Sequence, residues 1–193
     1  MRIVGGKFRG VTLTAVGKGD VAAHLRPTTD RVRENIFNLL SGGRFDVELD
    51  GAHVLDLFAG TGALGLEALS RGAAYATFVD QGRKAAALIS DNIAKLGVMD
   101  VTRLIKSDAT RVSLVLDSPC NLVFLDPPYG SELGVKALMR AASSSALAPG
   151  AIIVWEDQRA TTPPVGFRFL DARKYGDSYV TFLQIDDLAD RPG

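Results

Sequence analysis

Asp126-Pro127-Pro128-Tyr129 sets a carboxylate, two residues without N–H groups and an aromatic ring in four consecutive positions. The apolar run Asn121–Leu125 leads into it. Neither proline can continue a strand ladder, so the pair forms a stiff turn with unpaired carbonyls. Such a turn suits methylation of an exocyclic amine on a nucleobase. The lone pair of that nitrogen is delocalised into the ring, which makes it a poor nucleophile. Hydrogen bonds from its two N–H groups to the Asp126 carboxylate and the Pro127 carbonyl localise the pair toward an incoming methyl group. Asp126 also offsets the positive charge that develops on nitrogen. Tyr129 is placed to stack on a base that has left its own stack. Taken alone, the tetrapeptide also reads as an ordinary Asp-Pro-Pro turn.

A second constellation lies 60 to 70 residues earlier in the chain. Asp56-Leu57-Phe58-Ala59-Gly60-Thr61-Gly62-Ala63-Leu64-Gly65 satisfies the G-x-G-x-x-G pattern between an apolar strand and a helix. Asp80 ends the next strand, where a carboxylate holds ribose hydroxyls. These features alone do not separate a dinucleotide from S-adenosylmethionine. Asp56 favours the latter, because a carboxylate in the mouth of the loop attracts a cationic amino acid and repels a pyrophosphate. Asp108 in Ser107-Asp108-Ala109 follows the third strand, where it either accepts from an adenine amino group or caps a helix. The candidate cofactor contacts are therefore Asp56, Phe58, Ala59, Gly60, Thr61, Gly62, Asp80, Gln81, Asp108 and Ala109. A dehydrogenase has no evident use for Asp126–Tyr129, which breaks the tie toward S-adenosylmethionine.

The elements that must position these residues follow from the apolar pattern. Residues 3–16 alternate loosely around glycines and predict a short β-hairpin arm, followed by a linker over 17–27. A helix starts at Thr28 or Thr29 and ends at Gly42-Gly43. Strands are predicted at His53–Phe58, Ala76–Val79, Val101–Ile105, Leu122–Leu125 and Ile152–Trp155, with a closing pair at 166–172 and 179–185. Helices are predicted at 63–71, 82–96 and about 132–142. Alternation of this kind implies an α/β fold with a mostly parallel sheet, whose ligands gather beyond the carboxyl ends of the strands. Residues 1–50 are expected to form the arm and its helix, and 51–193 a catalytic domain.

With 193 residues, 47% of them hydrophobic and 23% charged, the chain is long enough to bury a substantial core and excludes a disordered or fibrous class. It has no apolar run of bilayer-spanning length and no signal-peptide pattern at its start, so a cytoplasmic protein without membrane contact is expected. The single cysteine, Cys120, precedes strand four, on the side of the sheet away from the loops, and reads as filler. His24 and His53 stand alone, and no His/Cys spacing supports a metal. Lys, Arg, Asp and Glu cancel at 22 against 22, yet residues 1–40 carry a net +4. A basic end on a neutral chain suggests a surface for a polyanion, with a solvated arm as the alternative.

Several segments carry a more specific likeness: Met1–Gly10, Arg26–Glu34, Asp56–Gly65, Leu69–Ala73, Asp126–Tyr129 and Tyr175–Ser178. Together they resemble the bacterial small-subunit ribosomal RNA guanine-N2 methyltransferases, over nearly the whole chain. The resemblance implies a Rossmann-like seven-stranded sheet with its last strand antiparallel, S-adenosylmethionine as cofactor and N2 methylation of a guanine in 16S RNA. It assigns the chemistry to Asp126, Pro127, Pro128 and Tyr129. A monomer is the simplest expectation for the oligomeric state. Trp155-Glu156-Asp157-Gln158 departs from the expected Val-Glu-Ser-Glu-like run. Arg2, Lys7, Arg9, Arg26, Arg31 and Arg33 are the candidate RNA contacts. Pairing of Arg31 and Arg33 with Asp30 and Glu34 is the alternative. Competing readings are an adenine-N6 methyltransferase on DNA or RNA, and a catalytically inactive nucleic-acid-binding protein of the same fold. An arm that only recognises RNA would be removable without loss of cofactor affinity.

Overall fold

The computed structural model describes residues 1–15, 29–45, 47–128 and 132–186. Arg26, Tyr129, His24 and the predicted linker lie outside those residues.

Seven strands form one sheet: β1 (His53–Leu57), β2 (Tyr75–Val79), β3 (Thr102–Ile105), β4 (Cys120–Leu125), β5 (Leu147–Asp157), β6 (Phe167–Tyr175) and β7 (Ser178–Ile185). Their order is β3-β2-β1-β4-β5-β7-β6. The first five are parallel, and β7 runs antiparallel to both β5 and β6. The order reverses between β1 and β4, which makes their carboxyl ends the switch point of the sheet.

Among the described residues four α-helices cover the sheet: α1 (Asp30–Ser41), α2 (Ala63–Ser70), α3 (Arg83–Leu96) and α4 (Leu133–Ser143). Alternate residues of the central strands face opposite layers. Val54, Leu122, Phe124 and Ile152 join a core with α1, α2 and α3, while Leu55, Leu57, Val123 and Ile153 pack with α4. Thr29 caps α1 by accepting from the Val32 N–H at 3.3 Å, which settles the start of that helix. The strands and helices otherwise fall within a few residues of expectation.

Two elements differ. β5 extends from Leu147 to Asp157 because its ladder with β4 already starts at Cys120–Leu147 and absorbs Pro149-Gly150 through a register shift. The Trp155–Asp157 run therefore continues the strand, with Trp155 in the α4-side core. The arm turns back on itself as expected, through the antiparallel bridge Arg2–Thr12 and backbone bonds from Ile3 N–H to the Val11 carbonyl, Gly10 N–H to the Ile3 carbonyl and Leu13 N–H to the Met1 carbonyl at 2.9–3.1 Å. It differs in that the groups near its tip bond to α2. Val4 and Gly5 N–H donate to Glu67, Lys7 N–H to the Ser70 carbonyl, and Phe8 N–H to the Ser70 hydroxyl, all at 2.7–2.9 Å. This close approach requires Gly6, where a Cβ would stand 1.7 Å from the Ser70 carbonyl oxygen. Ile3 and Leu13 of the arm are buried in the same core as Phe37, Leu66 and Phe124.

Candidate active site

Register brings the two sequence constellations together. Leu57 pairs with Leu125 on one side and with Val79 on the other. Asp126, Phe58 and Asp80 therefore leave three adjacent strands at one level, and the outer two stand about 10 Å apart across two strand spacings. The Asp126 N–H donates to the Leu57 carbonyl at 3.4 Å, and the Ala59 N–H to the Val79 carbonyl at 3.2 Å. Asp126 is half-buried, Pro127 buried and Pro128 exposed.

The turn between β1 and α2 is held in an unusual conformation. Phe58 has a φ of 58°, in the left-handed region that costs a non-glycine residue about 1–2 kcal/mol. Gly60 and Gly62 follow at 57° and 75°. Gly65 packs so closely on the floor that an added Cβ would lie 2.5 Å from the Phe78 ring. Asp80 fixes the turn, accepting from Gly60 N–H at 2.9 Å and from Gly82 N–H at 2.7 Å with separate oxygens. Each oxygen keeps a lone pair for a further donor. Gly62, the N-cap of α2, supplies no side-chain cap, and of the first-turn N–H groups that of Gly65 is taken by Asp56, which leaves those of Ala63 and Leu64 for an anion.

Asp56 does not stand in the mouth of the loop. It is buried beneath the turn, where it accepts from the Gly65 N–H at 3.0 Å, and burial pushes its carboxyl up to about 8. A carboxyl in that place braces the turn rather than facing a cationic amino acid. Asp108 caps its own turn, accepting from Thr110 N–H and hydroxyl at 2.9 and 2.8 Å, and these bonds hold its carboxyl below the ordinary range. Ala109 is buried and Gln81 exposed. Thr61 is buried, with its hydroxyl 3.7 Å from the Met1 thioether.

Of the candidate RNA contacts, Arg2, Lys7, Arg9 and Arg31 are exposed. Arg33 is not available to RNA. It is fully buried, bonded to the Asp30 carboxylate, donates to the Arg2 carbonyl at 2.7 Å and lies 3.7 Å from Glu67. Burial lowers its pKa, and Asp30 and Glu67 offset part of that shift. Arg2 also lies 3.5 Å from Asp30.

The polar residues that hold this region were not among the sequence candidates. Glu67 accepts from two arm N–H groups and from Arg71 Nε at 2.8 Å. Asn92, on α3, is fully buried and bonded to the arm and to Thr61. A signal existed for Glu67: Ala63–Ser70 is apolar all round, so a carboxylate in its middle has to be buried and partnered.

Cys120 begins β4 at the far end of the sheet, buried, with its thiol pushed up to about 12. Beside it, His53 and Tyr75 stack at 6.1 Å. Among the described residues there is no metal-holding group of His, Cys, Asp or Glu, and no helix is long and apolar enough to cross a membrane.

The donor set fits S-adenosylmethionine. The Asp80 carboxylate keeps lone pairs that suit ribose hydroxyls, the Ala63 and Leu64 N–H groups of α2 suit a carboxylate, and Asp126 stands at the same edge. Comparison with known proteins agrees. The model of the family described as "Conserved hypothetical protein 95" matches residues 1–184. The Ribosomal RNA small subunit methyltransferase D of Escherichia coli K12 is 39% identical over 158 residues, 82% of this chain and 75% of that protein. The solved structure of Escherichia coli yhhF superposes with a TM-score of 0.81 at 35% identity, covering 97% of this chain and 98% of that one. An RNA methyltransferase from Salinibacter ruber, solved with S-adenosyl-L-homocysteine, shares the fold at 17% identity, a TM-score of 0.62 and coverage of 87% and 97%.

Proposed function

Since the chain belongs to the Conserved hypothetical protein 95 family, we propose that it methylates the exocyclic N2 amine of a guanine in 16S ribosomal RNA, using S-adenosylmethionine, in the cytoplasm. The observation that carries this reading is the placement of Asp126 beside the Phe58–Gly62 turn, through the bond from its N–H to the Leu57 carbonyl.

S-adenosylmethionine supplies an electrophilic methyl carbon on a sulfonium. Asp80 would hold its ribose, and the Ala63 and Leu64 N–H groups of α2 would hold its carboxylate. The Asp126 carboxylate and the Pro127 carbonyl accept the two amine N–H groups and orient the nitrogen lone pair. Asp126 lowers the barrier by facing the positive charge that grows on nitrogen as the new bond forms. Pro127 and Pro128 keep the turn stiff, and Tyr129 stacks on the extruded guanine. Arg2, Lys7, Arg9, Arg26 and Arg31 contact phosphates. Residues 1–50 present the RNA surface and 51–193 the catalytic unit, and the protein acts as a monomer on RNA within a small-subunit particle.

Labelled methyl transfer to three acceptors tests the proposal: small subunits lacking the modification, naked 16S RNA and duplex DNA, with nucleoside analysis. N2-methylguanosine from RNA or subunits, absent with Asp126→Ala, is the expected result. N6-methyladenine would keep the chemistry and overturn the substrate, and no transfer to any acceptor would overturn the enzyme.

A further inference from the structure

Thr61 stands in the middle of the turn assigned to the cofactor, yet the arm covers it. The Met1 thioether accepts from its hydroxyl. Its carbonyl accepts from Asn92 Nδ2 at 3.0 Å, and the same nitrogen donates to the Thr14 carbonyl of the arm at 3.0 Å. Asn92 Oδ1 accepts from the Thr14 N–H at 2.7 Å. The N–H of Thr14 fixes which way the carboxamide points, and both hydrogens of Nδ2 are then spent, one on the arm and one on the turn. Asn92 is fully buried on α3, so neither bond can be exchanged for water without opening the structure.

We infer that Asn92 is a positioning residue: it sets the Gly60–Gly62 turn for cofactor only while Thr14 of the arm is docked, so that the arm and the cofactor site are coupled. This rests on the reading of the turn as the cofactor site. The coupling is reciprocal, as any coupling between two binding equilibria must be. A cofactor that holds the turn strengthens the docking of the arm, and an arm held by RNA strengthens cofactor binding. The arm is a terminal segment that meets the rest of the fold along one side, through bonds to α1, α2 and α3, so it opens without the sheet opening.

Two readouts test the inference on the full chain: S-adenosylhomocysteine affinity by calorimetry, and amide hydrogen exchange of Ile3, Leu13 and Thr14 with and without that ligand. Saturating ligand is expected to slow exchange of these arm amides about fivefold or more, the equivalent of one net hydrogen bond. Asn92→Asp keeps the shape and the acceptor for Thr14 N–H but cannot donate to either carbonyl. It should lose about fivefold or more in affinity and abolish the ligand's effect on the arm, while Ser90→Ala on the same helix changes neither. Arm exchange in the wild-type chain that ignores bound ligand would overturn the coupling, whatever the variant does or whether it folds. Failure of the wild-type chain to bind ligand at all would overturn the cofactor reading, and the coupling with it.

Discussion

Arg33 Nη1 lies 3.7 Å from Glu67 Oε2, and neither side chain reaches solvent. The pair joins α1 to α2 beneath the arm, whose Val4 and Gly5 N–H groups complete the carboxylate's shell. An anchored arm of this kind is part of the folded unit as well as a surface. Removing Glu67 leaves the Arg33 charge buried with Asp30 as its remaining counter-charge, a class of change that costs about 3–5 kcal/mol. Glu67→Ala should therefore lower the denaturation midpoint steeply. A Glu67→Ala chain as stable as the wild type would mean that water or a rearranged Asp30 satisfies Arg33.

The backbone contact makes a separate prediction. At Gly6 a Cβ would overlap the Ser70 carbonyl, and the backbone φ of 73° disfavours any L side chain. Gly6→Ala should lift the arm from the end of α2 and cost about 1–3 kcal/mol, in line with other strained substitutions. Limited proteolysis reads it directly, as faster cleavage within residues 1–15. Unchanged cleavage would show that the arm accommodates the methyl group elsewhere. By the same contacts, an arm deletion should reduce stability and cofactor affinity together, unlike an arm that only recognises RNA.

The sheet was legible in the sequence because the apolar runs are buried on both faces and are punctuated by glycines and prolines. Asp126 and Asp80 fell at the switch point because strand order alone puts them there. The bonding partners of several polar side chains were less legible. Asp56 bonds the Gly65 N–H, which spacing to a ligand does not reveal, while Asp108 takes the capping role that was the alternative to an adenine contact, at Thr110. Arg33 reads from the sequence as an RNA contact or as a partner of Asp30 and Glu34, and it does pair with Asp30. Its burial depends on Glu67, 34 residues away, and on the Arg2 carbonyl, both long-range contacts. Alternation gives the arm's hairpin, but not its docking, in which the N–H groups of Val4, Gly5, Lys7 and Phe8 bond to α2.

Asp56 gives the fold a pH dependence. Its carboxyl titrates at about 8 in the folded chain, mainly through burial, against about 3.9 when unfolded. Between those values the folded chain keeps a proton that the unfolded chain has released. The stability it contributes is therefore complete below about pH 4 and is lost as pH rises to 8, by at most about 1.4 kcal/mol per pH unit. Asp56→Asn stays neutral and retains an acceptor for Gly65 N–H. Its midpoint should fall less than that of the wild type between pH 5 and 8, and parallel curves would refute the assignment.

The exposed cations are separable from the buried one by salt. Lys7, Arg9 and Arg31 are exposed, and a phosphate contact from each adds about 0.7–0.9 to the slope of log affinity against log salt. Replacing each in turn by alanine should weaken binding of a 16S RNA fragment and flatten that slope by about that amount, without shifting the denaturation midpoint. A substitution that leaves the slope unaltered removes that residue from the RNA surface.

Asp126 distinguishes orientation from charge. Asparagine keeps an oxygen for one amine N–H but removes the negative charge that faces the nitrogen in the transition state. Electrostatic groups of this kind contribute about 10²–10³ to kcat when deleted. Asp126→Asn should lose roughly that much in kcat, because the interaction strengthens only as charge develops. The affinity for S-adenosylhomocysteine should stay unchanged, since the proposed ribose acceptor is Asp80, on the far side of the turn. A variant that lost cofactor affinity in proportion to its rate would place Asp126 in the cofactor site, and the amine would then need another acceptor.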